Sequence, residues 1–404
     1  MHPPGADVVL LRHGEIGVKS AQVQSAMEGR LHDNVGALLA DRGLRSAVTR
    51  EHGRLYVQAD ERTVEAATDA ATQAFGVVSA SPALEVEPTL PAITDALAET
   101  ARTHYEGGTF AVRARRAGQA HEHPFSSRDL EEAGGSAVWT AAEAAGLEPA
   151  VDLEDPDWTV FVEARPNRAF VFLEKREGPG GLPLGSQAPL VALVSGGIDS
   201  PVAAWLAMKR GSPIYPLYVD LGDYGGPDHR MRAEATVRDL SAYAPNFDLA
   251  LRVAPGGDGI DRLVAEMDSF RMLGLRRFML AVADAVATDL GAAGLVTGEA
   301  VGQKSSQTAA NLRVTSAATD LPIHRPLLTT DKTDITALAR EIGTFADATI
   351  PAGCNRVAPS QPATAASLER VRAAEPDDLF ELAREAADAL TVLEPAETDP
   401  PGAD

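Results

Sequence analysis

The spacing of apolar residues changes character near the middle of the chain. Val8 to Arg12 is a brief apolar run that suits a strand. Val23, Met27, Leu31, Val35 and Leu38 then recur at helical spacing until Gly43 stops them. Arg54 to Ala59 alternates like a strand, Val64 to Phe75 returns to helical spacing, and Val77 to Val86 predicts extended chain around Pro82. Ile93, Leu97 and Ala101 mark another helical face. A strand over Thr109 to Arg116 and a helix after Ser127 come next, then a hairpin of Trp158–Ala164 and Ala169–Lys175 joined by Arg165-Pro-Asn-Arg168.

Gly178 to Gln187 is rich in glycine and proline, as a linker would be. Beyond it the pattern becomes regular. Strands are predicted at 189–194, 214–219, 247–253, 294–297 and 322–327, and helices at 201–210, 229–243, 270–290 and 332–342. Strands alternating with helices make a doubly wound parallel sheet, with ligands at the carboxyl ends of the strands. The β-α-β-α-β order before residue 86 fits a small ferredoxin-like α+β unit. The fold class is therefore multidomain, α+β followed by α/β.

The first strand of the α/β part runs straight into Ser195-Gly-Gly-Ile-Asp-Ser200. The two glycines leave the backbone bare, Ser200 can cap the next helix, and Pro201 suits its first position. Free amides and the helix dipole then favour a phosphate at one spot. Asp199 either helps hold a magnesium–pyrophosphate or braces the turn. No G-x-x-x-x-G-K-[ST] stretch occurs, which argues against a loop that cleaves a γ-phosphate.

Charge changes the picture of the surface. The chain carries 36 basic and 58 acidic side chains, a net charge of −22, and its only lysines are Lys19, Lys175, Lys209, Lys304 and Lys332. A densely acidic surface keeps proteins apart in molar salt. At about 1 M the screening length is only about 3 Å, so local arginines decide nucleic-acid binding rather than the total. Arg113, Arg115, Arg116, Arg165 and Arg168 concentrate in one stretch, with Phe125 available for stacking. The same arginines would serve equally as strand residues paired with carboxylates. The single cysteine, Cys354, excludes a disulfide within the chain and a Cys-x-x-Cys metal site. No residue set is assigned to a resident metal. No run of 18 apolar residues and no basic-then-apolar leader is present, so the expected location is the cytoplasm with no membrane span.

Several motifs together resemble one family. Gly178–Gly185, Ser195–Ala203, Val296–Thr308, Arg325–Lys332 and Ile342–Phe345 look like the PP-loop domain of tRNA 4-thiouridine synthetases. Arg12-His-Gly-Glu-Ile, Phe75-Gly-Val-Val-Ser and Thr109–Arg116 look like the ferredoxin-like and THUMP domains of the same family. The resemblance implies a ferredoxin-like region at 1–60, a THUMP domain at 61–177, a linker at 178–188 and a PP-loop domain at 189–375; composition marks 376–404 as an acidic, partly disordered tail, with a helix over Phe380–Leu390 and disorder from Glu394. It implies that ATP, with Mg2+, adenylates O4 of uridine 8 in tRNA, and that sulfur then displaces AMP. By position, Ser195, Gly196, Gly197, Asp199 and Ser200 would hold the pyrophosphate portion. The backbone at Leu193 and Val194, with Tyr218, Arg276, Gly298 and Gln307, would contact ATP. Lys332 would supply a cation to the transition state, and Cys354 stands where the family places its catalytic-domain cysteine. The family also implies a homodimer. Two other readings stay open: a different PP-loop tRNA thiolation, and a non-catalytic RNA-binding module. The intact Ser195–Ser200 loop argues against the second.

No segment after residue 365 resembles the rhodanese domain of some relatives, and one cysteine cannot make a three-cysteine cluster. Sulfur must then come from outside the chain, from a persulfide donor such as a cysteine desulfurase or from free sulfide. Cys354 lies in a glycine-containing loop near Arg356, which favours a thiolate. Cys354→Ser should keep tRNA-dependent pyrophosphate release and lose 4-thiouridine formation with a persulfide donor. Both products are measured in one reaction, and a normal thiouridine yield would exclude Cys354 as the sulfur carrier.

Overall fold

Strand β1 (Val8–His13) lies inside a nine-stranded sheet in the first of two units, Met1–Gly181. In this computed structural model, all residues are described except His52, Gly226, 347–355 and 395–404, so Cys354 lies outside the described residues. After β1 come helix α1 (Ala21–Asp41), β2 (Val48–Glu51), β3 (Arg54–Gln58), α2 (Val64–Ala71) and β4 (Val77–Val86). The unit continues with α3 (Leu90–His104), β5 (Thr109–Arg116), α4 (Ser127–Ala144), β6 (Ala150–Val151), β7 (Trp158–Ala164), β8 (Ala169–Phe172) and β9 (Arg176–Glu177). The strand order is β2-β3-β1-β4-β8-β7-β5-β6, with β9 also pairing β4.

The helical spacing read from the sequence faces the core. Leu31, Val35 and Leu38 of α1 and Ala67, Ala70 and Ala71 of α2 pack with Val9, Leu11, Leu55 and Val57. Residues 61–80 therefore share a core with β1, and the boundary expected after residue 60 falls inside it. A second core joins Ile93 and Leu97 of α3 and Leu130 and Val138 of α4 to Phe110, Val112, Val160 and Val162. The alternate pleat carries Val8, Leu10, Tyr56, Phe170 and Phe172 as a separate cluster.

The second unit, Leu182–Asp404, contains β10 (Leu190–Leu193), α5 (Asp199–Lys209), β11 (Ile214–Asp220), α6 (Pro227–Ser241), β12 (Leu251–Pro255), α7 (Gly257–Glu266) and α8 (Arg271–Leu290). It continues with β13 (Leu295–Val296), α9 (Ala309–Ser316), β14 (Ile323–His324), α10 (Lys332–Glu341), α11 (Leu368–Arg372), α12 (Leu379–Asp388) and β15 (Thr391–Leu393). The order β14-β13-β10-β11-β12-β15 is parallel except for β15, which runs antiparallel to β12. This is the doubly wound sheet that the alternating pattern predicts.

Three expectations change. The strand placed at 247–253 begins at Leu251, because Phe247 N–H closes a turn on Ala244 O and Asp248 accepts from Ala250 N–H. The stretch 178–188 is not a free linker: Gly178 and Gly180 bond back to Val78 and Val77, while Leu182, Gly185 and Gln187 bond to Lys209 and Gly211. The acidic tail is folded through Leu393. Leu379, Ala383, Ala386 and Ala387 of α12 are buried in the core that holds Phe278, Val282 and Val286 of α8. The helix expected over Phe380–Leu390 is present at Leu379–Asp388, and its apolar face, opposite the charged one, makes it part of this unit's core rather than of a tail set apart from it. Leu379 has no exposed surface, so Leu379→Ala should cost about 2–5 kcal/mol in chemical unfolding. A solvated tail would show no change.

Candidate active site and RNA-facing surface

The turn after β10 is closed by two serines. Ser200 Oγ accepts from Ser195 N–H at 2.9 Å and donates to Ser195 O at 3.1 Å. Ser200 therefore does not cap α5. The helix begins earlier, at Asp199, with Ile198 at the cap position and no side-chain cap bond. Its first-turn amides are left for a ligand, in the dipole's favourable field. Gly196 must be small, since a Cβ there would lie 2.8 Å from Cβ and Cδ of Arg232 on α6. Arg232 is buried and points Nη1 at Gly196 O, 3.4 Å away.

Asp199 opens α5 and Lys332 opens α10, and their side chains meet: Lys332 Nζ donates to Asp199 Oδ1 at 2.6 Å. The carboxylate suits a helix N-terminus and the lysine does not. The pair therefore holds a cation beside the phosphate loop against its helix's own field. Tyr218, at the carboxyl end of β11, is almost fully buried. Burial, then Asp220, pushes its phenol up to about 12, so it remains a neutral hydroxyl. His229 on α6 is held below the usual imidazole range by burial and by Arg232 and Arg356.

The loop after β13 presses directly on this turn. A Cβ on Gly298 would sit 2.7 Å from Ser200 N and 2.9 Å from Asp199 O, so only glycine allows the approach. Next to it Glu299 is buried. Its Oε1 accepts from Arg276 Nη1 at 2.9 Å, and its Oε2 from Arg325 Nε at 2.7 Å and Thr297 Oγ1 at 3.1 Å. Arg276 Nε also donates to Ser306 Oγ at 2.8 Å. With its amide oriented to satisfy both ends, Gln307 accepts from Arg276 Nη2 and donates to Ala300 O, each at 3.0 Å. Arg276 and Gln307, expected at ATP, thus direct their polar groups to each other and to this loop. Leu193 ends β10, and the next residue, Val194, has its N–H already bonded to Leu217 O.

In the first unit the expected RNA residues separate. Phe125 is buried in the α3–α4 core and is not available for stacking, because its ring supplies apolar surface to that core. Its carbonyl accepts from Arg116 Nη1 at 2.8 Å. Arg168 pairs with Glu51 and Glu85 and lies over the Tyr56 ring. Arg165 donates to Glu163 Oε1 at 3.0 Å. Arg113 and Arg115 stay exposed, and Arg113 donates to Leu153 O.

The sequence missed the centre of this group. Glu163, buried, also pairs with Arg54 at 3.1 Å. Burial alone would raise its carboxyl; Arg54, Arg165 and Arg12 together hold it below the usual range. Arg12 is pushed down to about 10, first by burial and then by Arg54, Arg115 and Arg165. Lys175 is lowered likewise, by burial, Arg12 and Arg115. Four cations, Arg12, Arg54, Arg165 and Lys175, thus share one carboxylate, and Arg115 lies near enough to lower both Arg12 and Lys175. Beneath them Phe161 and Phe172 stack at 5.2 Å, with Lys175 Nζ 4.5 Å over one ring and Arg12 Cζ 4.8 Å over the other. Arg12, Arg54 and Lys175 lie far apart in sequence, and only strand register joins them. Glu299 and Arg232 were missed for the same reason, although the carboxylate of Gly298-Glu-Ala was in view.

Gly298→Ala should place a methyl group against this backbone. The Asp199–Ser200 peptide must then shift, and the Asp199–Lys332 pair with it. About a hundredfold loss of ATP-dependent pyrophosphate release is expected, with some fall in unfolding temperature from the overpacking. Wild-type turnover would show that the contact does not matter.

The sequence matches the family described as "Thiamine biosynthesis protein (ThiI)" over residues 185–380, the ThiI ferredoxin-like domain over 8–81 and the THUMP domain over 87–174. A "Probable tRNA sulfurtransferase" of Halobacterium salinarum is 63% identical over 387 residues, 96% of this chain and 97% of that one. Another with the same name, from Methanosarcina acetivorans, is 41% identical, covering 90% of this chain and 88% of its own. A crystal structure of a 4-thiouridine synthetase–RNA complex with bound ATP superposes with a TM-score of 0.83 at 28% identity, covering 96% of this chain and 100% of that one. The chain belongs to the tRNA sulfurtransferase family.

Proposed function

We propose that this protein uses ATP to replace O4 of a tRNA uridine, at position 8, with sulfur, giving 4-thiouridine. The observation that carries the reading is the open first turn of α5, with Asp199 and Lys332 beside it at the carboxyl end of a parallel sheet. Uracil O4 attacks the α-phosphorus of ATP. An O4–P bond forms, the bond between Pα and the bridging oxygen breaks, and pyrophosphate leaves. The turn formed by Ser195, Gly196, Gly197 and Ser200 cradles that leaving group through those backbone amides that its own serine hydroxyls do not hold. Lys332 exchanges part of its pairing with Asp199 for the developing phosphate charge. Sulfur then adds to C4, and AMP departs with O4. The physical need for ATP is that a carbonyl oxygen is a poor leaving group and AMP a good one.

A single carboxylate, Asp199, together with phosphate oxygens fits Mg2+, which keeps most of its ligands as water and phosphate; bound there, the ion would offset charge on the leaving pyrophosphate. Tyr218, neutral and buried, offers a hydroxyl without adding charge. An external persulfide passes its outer sulfur to the Cys354 thiolate and leaves as a thiol; the Cys354 persulfide attacks C4 as AMP departs, and an external thiol then cleaves the C4–S–S–Cys354 linkage and is itself oxidised to the disulfide, whereas free sulfide would attack C4 directly without using Cys354. The protein works as a homodimer in the cytoplasm. Among the described residues, no helix is long and apolar enough to cross a membrane.

Arg12, Arg113, Arg115 and Lys175 form the phosphate-binding surface for tRNA. The excess of cations over carboxylate at Glu163 supports this, because an added anion relieves their mutual repulsion. Asp199→Ala should abolish pyrophosphate release while tRNA binding stays within a few-fold. Arg115→Ala with Lys175→Ala should reduce the slope of log affinity against log salt by about 0.7–0.9 for each phosphate no longer neutralised. Unchanged slope would return these residues to a purely structural role. Nucleoside analysis of tRNA from a deletion strain tests the whole reading, and persistence of 4-thiouridine would refute it.

A further inference from the structure

Helix α6 forms a wall of the phosphate turn, and it carries an imidazole that the mechanism so far leaves idle. Arg232 lays its side chain along Gly196 and donates through Nη1 to Gly196 O. Three residues earlier, on the same helix face, His229 stands in the first turn of α6, nearer the carboxyl end of β11. It is half-buried. Arg356 flanks it, two residues past Cys354 in sequence, and acts on the ring together with Arg232 from its own helix. Asp228 opposes them weakly. The imidazole therefore stands between the turn that takes the pyrophosphate and the end of the segment that carries the sulfur acceptor.

The proposed thiolation has a proton to move at that place. Uracil carries a hydrogen on N3, next to C4. When O4 attacks ATP, the N3–H bond must break. Its electron pair forms the N3=C4 bond, the C4=O4 pair goes to the new O4–P bond, and pyrophosphate leaves with its own pair. We propose that His229 is the general base of this step: its imidazole takes the proton from N3 and returns it to N3 when the product is released as the 4-thione. The proposal rests on the function proposed above. Neighbouring groups are committed elsewhere. The Asp199 carboxylate holds Lys332, Asp220 Oδ1 accepts from Gly222 N–H, and Tyr218, pushed up to about 12, keeps its proton. Burial first, and then two guanidinium groups, keep the ring of His229 in its neutral, proton-accepting form. A triphosphate arriving beside Arg232 offsets that guanidinium and raises the basicity of the ring at the moment it is needed.

The test measures single-turnover pyrophosphate release by the full chain in molar salt, from pH 5 to pH 8. His229→Gln should lower the rate at neutral pH about a hundredfold, with ATP and tRNA affinity held within a few-fold. The wild-type rate should fall as acid protonates the ring, and the variant should lose that acid limb. A tRNA carrying 5-fluorouridine at position 8, whose N3–H is more acidic, needs less of a base. On it the deficit of the variant should shrink to about tenfold. Unfolding temperature is recorded throughout, and His229→Asn serves in the same assays should glutamine disturb the fold. A wild-type rate, an unchanged acid limb, an equal deficit on both tRNAs, or a loss explained by weaker ATP binding would each overturn the proposal. Absence of tRNA-dependent pyrophosphate release by the wild-type chain would instead refute the function on which it rests.

Discussion

A carboxylate taken out of water must be given cations, and this chain meets that requirement at two places that organise the rest. In the first unit Glu163 collects Arg12 and Arg54 from two strands and Arg165 from the turn after β7. In the second, Glu299 collects one from α8 and one from the segment after β14. Neither carboxylate can be removed cheaply, because each deletion strands more than one buried positive charge. The two differ in surplus. Glu299 has two arginines that are also satisfied by hydroxyl groups, which makes a rigid joint. Glu163 has more cations than it can satisfy, which makes a surface prepared for an incoming anion.

Much of the second unit was legible because a parallel sheet buried on both faces writes itself as short apolar runs between helices. Leu190–Leu193 and the Ser-Gly-Gly turn could be read directly, and so could the phosphate preference of the helix start beyond them. Ser200 was misread because cap preference is local, whereas the hydroxyl's partner is the backbone of Ser195, which only the folded turn brings back to it. Strands β13 and β14 lie inside the stretches predicted at 294–297 and 322–327, but each is only two residues long, so the sequence placed them without giving their ends.

Side-chain roles were less legible than elements. An arginine has the same letter whether it meets phosphate or glutamate. Arg165 and Arg168 went to glutamates, while Arg115 stayed in solvent. Phe125 looked like a stacking platform because it comes after a polar loop, but apolar area is worth more in a core than on a wet surface. Arg12 belongs with Glu163 through pairings of β1 with β4, β4 with β8 and β8 with β7, none of which sequence spacing records.

Strand β15 has a consequence for association. It lies antiparallel on β12, so the chain's own late segment occupies the side of the sheet where a foreign strand would add. The new margin is only three residues long, and the opposite margin, β14, only two. Short margins offer too few unpaired amides to template a neighbour. This blunting of both sheet edges is geometric and so does not change with ionic strength, and it guards against strand-by-strand aggregation alongside whatever the acidic surface contributes.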